Sequence, residues 1–239
     1  MLKEFFVCCI FFCAMLINAV TGFAGNLLAM PTTIQLIGMT DAKVMSTIVG
    51  IVTCAVIAAL NPKAINWYEI IKAILLMIPG ILFGLYLFYN VNYHFLLYVY
   101  GSIILIIAVK NFFTKPLVYK MTLPLVLLIM TGAGIMHSLF VSSGAFMVIY
   151  AMHTFKDKSE FRATMVVLGA FLNILLLFQE IIAKEITLYN TGLSIAVIIP
   201  SLLAIFLGNR LHKKLSGNKF FLLANILLLI SGLVCFFKA

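Results

Sequence analysis

Two short stretches of this chain carry the residue types that could hold a charged solute, and they lie far apart in sequence. Asn18, Thr21, Gly22 and Gly25 recur at intervals of three and four, the spacing of one helix face. They lead into the helix-breaking run Gly22-Phe23-Ala24-Gly25-Asn26. Thr131, Gly134, His137 or Ser138, and Ser142 repeat that spacing and lead into Ser142-Ser143-Gly144. After each break a helix can restart, headed by Gly25-Asn26 in one case and Ser143-Gly144 in the other. The unpaired N–H groups and positive dipole end of such a helix suit an anion. Glycine admits close backbone approach, and an Asn or Ser side chain adds a donor. Small residues would also let helices pack tightly with no ligand at all. That two breaks recur at equivalent places favours the binding reading.

Two ionisable side chains lie near the second break. His137 sits well inside an uncharged stretch and next to a break, whereas His94 and His153 sit at the ends of their expected helices. It suits proton coupling or anion contact, or else a neutral bridge between two helices. Arg162 opens the helix that follows, and reads as an interfacial anchor or as a guanidinium that draws an anion in. Glu180, Lys184 and Glu185 read as a solvated loop face. Cys9 and Cys13 share a helix face without a partner ligand on it, and the five cysteines (Cys8, Cys9, Cys13, Cys54 and Cys235) read as reduced apolar packing. No metal and no cofactor is expected.

The elements that must position these residues follow from where charge is missing. Hydrophobic residues make up 64% of the 239, against 16 Lys and Arg and 7 Asp and Glu. Uncharged runs span 5–40, 44–62, 73–109, 121–155, 163–179, 186–209 and 220–237. About 20 apolar residues cross a bilayer as a helix, so the chain reads as an all-α polytopic membrane protein. The net charge of +9 then reflects basic cytoplasmic loops. Nucleic acid is not an expected partner, because no basic face is paired with stacking aromatics. Lys3 and the apolar stretch after it lack a small-x-small cleavage site, so this start reads as a retained span.

The runs also repeat. Run 5–40 is too long for one crossing; it breaks at Gly22–Asn26 and again at Pro31, giving arms of about 5–21 and 26–37. Run 121–155 breaks likewise, into arms of about 121–140 and 144–154. The first repeat, 1–117, thus holds a broken hairpin (5–37) and helices 44–60, 69–89 and 94–113. The second, 118–239, holds a hairpin (121–154) and helices 162–180, 189–208 and 219–237. Pro79 and Pro200 occupy equivalent places, as do Ser46-Thr47 and Ala163-Thr164. If each broken run crossed once, the Lys and Arg would divide equally between the two faces. If each goes in and returns, twelve fall on one face and only Lys3, Lys43, Lys184 and Lys238 on the other, the bias the positive-inside rule expects. Each repeat then makes an odd number of crossings, so the two are inverted, with both termini outside. Interrupted helices meeting at the midplane of inverted repeats are a recurring transporter design.

The pattern Gly22-x-x-Gly25-Asn26-Leu27-Leu28-Ala29-Met30-Pro31, followed by Ala42 and Ser46-Thr47, resembles the first motif of the sulfite exporter TauE/SafE family. Ser143-Gly144 and Phe161-Arg162-Ala163-Thr164 resemble the second. Gly208-Asn209-Arg210-Leu211 is similar to the family's closing segment. The likeness covers nearly the whole chain, although Ala24-Gly25-Asn26 and Ser142-Ser143-Gly144 stand where the family has about three adjacent glycines. It implies a multi-pass protein of the bacterial plasma membrane that transports, and in many cases exports, sulfite or small sulfur-containing or organic anions. The expected function is therefore an anion transporter working by alternating access, not an enzyme. Its partners are a small anion and lipid, with a homodimer left open. No nucleotide-binding motif occurs, so an ion gradient or the substrate's own gradient would drive it. The rivals are a membrane-embedded enzyme, which needs several acidic or His side chains at one depth, and a channel or accessory subunit.

Overall fold

The structure is a computed structural model, and it describes residues 2–60, 62–113, 122–155 and 157–214 with seven positions between 222 and 233. The helices are α1 (Leu2–Thr21), α2 (Ala24–Ile37), α3 (Met39–Leu60), α4 (Trp67–Asn90), α5 (Tyr93–Phe113), α6 (Leu123–Phe140), α7 (Gly144–Thr154), α8 (Lys158–Ile182) and α9 (Leu188–Lys214). No strand occurs among the described residues. Of the helices, α1, α3, α4, α6, α8 and α9 are long and apolar enough to cross a membrane. Leu75, Leu82, Phe83, Leu128, Ile199 and Leu203 point outward and are each more than half exposed. In water such a band would drive association, but in lipid it is the ordinary solvent-facing surface.

Several helices begin or end beyond the uncharged runs. Helix α3 starts at Met39 rather than 44, and α8 at Lys158 rather than 162. The charged residues that end a run of apolar sequence still fit a helix emerging into the interface. Asp157 caps α8 by accepting from the N–H groups of Ser159 and Glu160, both at 3.0 Å. Asn66 caps α4 by accepting from the Glu69 N–H at 3.2 Å. Pro31 does not break the chain: α2 runs through it to Ile37. A proline removes one helical hydrogen bond, and a helix packed among neighbours tolerates that loss. The expected helix 219–237 lies largely outside the described residues; from it, Asn225 donates to the Ala108 carbonyl of α5 at 3.1 Å.

Both broken runs fold back on themselves. A Cβ on Gly25 would stand 3.2 Å from the Ala14 carbonyl, and one on Gly132 would stand 2.6 Å from the Phe146 ring. Residues eleven and fourteen apart would be about 16 and 21 Å apart along a straight helix, so the chain reverses at each break.

Polar contacts at the helix ends show which ends share a face. Asn66, before α4, donates its backbone N–H to Thr164 and its side-chain amide to Glu160, at 3.0 and 2.9 Å. Asn190, at the start of α9, donates to Asp41 at the start of α3, at 3.0 Å. Helices α3 and α8 pack together and run antiparallel between these two faces. The remaining packing is reciprocal: α1 packs on α9, and α6 packs on α4. Glycine permits both contacts. Gly208 lies against the Leu16 carbonyl and Ala19 of α1, while Gly80 and Gly134 bring the backbones of α4 and α6 together.

Candidate functional site

The two reversals meet. Gly22 makes the first turn with φ +87°, and Val141 makes the second with φ 52°. A β-branched residue in the left-handed region is strained, so the surroundings must hold it there. Its N–H donates to the His137 carbonyl at 2.8 Å, and its own carbonyl accepts from the Asn26 side chain at 2.9 Å. The strained turn of one hairpin is thereby tied to the start of the returning arm of the other.

Between the turns lies a small cavity of about 50 Å³, lined by Asn18, Gly22, Phe23, Asn26, His137, Ser142, Ser143 and Gly144 from the two hairpins. Gly50, Thr53 and Cys54 of α3 and Met165, Gly169 and Asn173 of α8 close its sides. At about 10–15 Å³ per water on this measure, it holds a few waters or one small oxyanion. The Ser142 hydroxyl and the Asn26 amide oxygen are buried with no hydrogen-bond partner among the described residues, and the His137 ring nitrogens lack a well-formed hydrogen bond, with the Asn173 amide as their nearest polar neighbour. Buried polar atoms are normally paired, and each one left unpaired costs on the order of 1–3 kcal/mol.

Four of the residues expected at the site lie elsewhere. The Thr21 hydroxyl accepts from the N–H of Ala24 at 3.2 Å, and the Asn18 side chain accepts from that of Gly25 at 3.4 Å. The opening donors of α2 are thus already taken by its own hairpin, because the tight reversal brings the end of α1 within reach of them. A Cβ on Gly25 would meet Asn18, 2.7 Å away, and not the cavity, so this glycine serves the packing of α1 on α2. Ser138 donates to the Ile135 carbonyl at 2.9 Å and faces Gly84 across the α4–α6 contact. At the start of α7, by contrast, no side chain caps the N–H groups of Gly144, Ala145 and Phe146 among the described residues.

Arg162 is the fourth. It is 2% exposed, so it is no solvated anchor. One guanidinium nitrogen donates to Asn209 at 3.0 Å, and Nε and Nη2 have no partner among the described residues. Its backbone and side chain press against Gly22, where a Cβ would lie 3.0 Å away. The residue stands directly behind the first turn, outside the cavity.

Glu180 also departs from expectation. It is fully buried, not part of a solvated loop, and accepts from Thr47 at 2.9 Å. The cavity contacts from α3 and α8 escaped the sequence reading, which weighed only the breaks. Asn173 carried a signal, as the one amide in the interior of the uncharged run 163–179, with Gln179 at its end.

Helices of spanning length around a small cavity that carries polar groups, built where two helices are interrupted, define a multi-pass membrane protein of the transporter class. The chain belongs to the sulfite exporter TauE/SafE family, whose family model matches residues 7–235. It is accordingly a membrane transporter of the type that handles sulfite-like anions. Comparison with curated proteins and with solved structures gives no match.

Proposed function

We propose that the protein moves sulfite, or an oxyanion of similar size, across the membrane by alternating access of two inverted halves. The observation that carries this is the group of unpartnered polar atoms around a cavity of about 50 Å³. His137 and Ser142 supply donors there, and the uncapped start of α7 supplies more. An oxyanion loses strong hydration on entry, and oriented donors return it. The reciprocal packing of α1 on α9 and α6 on α4 is what two inverted repeats would produce. It leaves α3 and α8 between them as the elements across which the halves can rock. The cavity-lining Asn18, His137, Ser142 and Asn173 are each less than a tenth exposed, while Phe23, Asn26 and Ser143 beside them are half-buried, so the cavity is narrow and partly open.

The test is counterflow in proteoliposomes. Vesicles loaded with unlabelled sulfite should take up labelled sulfite, saturably, with competition by small oxyanions and little by long organic sulfonates. Uptake that rises linearly with concentration and shows no counterflow would instead identify a channel.

A further inference from the structure

A second buried polar cluster lies at the other end of the α3–α8 contact, and the anion cavity makes no use of it. Lys43 and Glu180 are both fully buried. Thr47 donates to Oε1 of Glu180, and Oε2 is buried with no partner among the described residues. The Lys43 ammonium donates to Gln179 at 3.1 Å and stands 3.9 Å over the Phe88 ring, with no direct ion pair to Glu180. The other titratable groups near the cluster are Glu185, after α8, Tyr89 of α4, whose hydroxyl donates to Glu185 at 2.7 Å, and His137 of α6, which lies within electrostatic reach of Lys43.

This cluster is in register with the cavity. Lys43 precedes Gly50 by seven residues on α3, and Glu180 follows Asn173 by seven on α8. Seven residues are about two turns, so cavity and cluster share one stripe of each helix about 10 Å apart. Charge balance then links them. With the cavity empty, Lys43 compensates an ionised Glu180. With a monoanion in the cavity, Lys43 has two negative partners unless one is discharged. Two unit charges about 10 Å apart, at an effective dielectric constant of about 20, shift each other's equilibria roughly tenfold.

We propose that Glu180 is the proton-coupling carboxylate of this transporter, taking one proton from water as the anion binds and releasing it on the side where the anion leaves. The inference rests on the transport reading above. The proton adds to the carboxylate, most simply at the unpaired Oε2, and no other bond changes. Lys43 is the positioning charge that both negative groups share.

Proteoliposomes carrying wild type, Glu180→Gln or Lys43→Gln test this with labelled sulfite, in two modes. One mode is exchange at equal pH. The other is accumulation driven by an imposed pH difference, where one proton per anion sustains up to about tenfold accumulation per pH unit. Wild type should do both, and each variant should exchange but lose pH-driven accumulation. Accumulation by E180Q equal to wild type would overturn the proposal, and is also the outcome if the proton travels on bisulfite itself. A folded E180Q that has lost exchange as well would overturn it too, since Glu180 would then serve the pathway. If E180Q fails to insert, K43Q decides: retained pH-driven accumulation sinks the proposal, and exchange without accumulation supports it. Absence of exchange by the wild type is a different result, and removes the transport reading itself.

Discussion

Asn26 of α2 donates its side-chain N–H to the carbonyl of Val141 at 2.9 Å, a hydrogen bond between two helix breaks 115 residues apart in the chain. It brings the two hairpins to one point and satisfies the carbonyl of a strained residue beside the cavity. Hydroxyl, imidazole and amide groups line the rest of the cavity.

That bond predicts the behaviour of Asn26→Leu. The Val141 carbonyl would be left buried without a partner, costing on the order of 1–3 kcal/mol. Purified N26L should melt several degrees below wild type and should lose most of the stabilisation sulfite gives. Unchanged melting would mean the breaks are held by packing alone.

Two serines one turn apart should respond differently. The Ser142 hydroxyl is buried and unpaired at the cavity, whereas Ser138 is bonded to its own helix. Ser142→Ala should leave the ligand-free protein as stable as wild type or more so by about 0.5–1 kcal/mol, while weakening sulfite binding. Ser138→Ala should leave binding unchanged. Isothermal titration on both variants distinguishes these outcomes, and equal losses would argue against a ligand at Ser142.

Gly22 is constrained twice, by φ +87° and by Arg162, which lies 3.0 Å from where a Cβ would stand. Gly22→Ala should therefore destabilise by more than the roughly 1–2 kcal/mol typical of a left-handed residue alone. Gly192 in α9 has open space around it, so Gly192→Ala should be neutral or stabilising by up to about 1 kcal/mol. Thermal unfolding of the two single variants gives the comparison.

Sidedness follows from the helix-end contacts together with the distribution of Lys and Arg. The ends near Lys63 and Asp157 are joined through Asn66 and Glu160, and Lys184 lies at the opposite ends of the spans. Single cysteines placed at 63, 157 and 184 in a cysteine-free background should label from the cytoplasm at the first two and from outside at the third. Labelling of 63 and 157 from opposite sides would refute the antiparallel course of α3 and α8.

The membrane class was legible in the sequence, because a shortage of charge over span-length runs allows few other outcomes. So were the two breaks, since clustered glycine and serine weaken a helix locally, whereas Pro31, which reads the same way, is carried inside α2. Asn18, Gly22, Asn26, His137, Ser142, Ser143 and Gly144 could be singled out by that local signal, and tertiary folding places all of them around one cavity. Which neighbours they acquire is a different matter. Thr21 and Asn18 spend their oxygens on the start of α2, Arg162 is buried behind Gly22, and Glu180 is enclosed beside Lys43. None of this is local: hydrogen-bond pairing and burial depend on which helices pack together. The α3–α8 contact joins residues more than a hundred positions apart, such as Thr47 and Glu180. Composition and spacing determined where the chain enters the membrane and where its helices break. Only tertiary packing decided which polar groups are left unpaired inside, and which of those border the cavity.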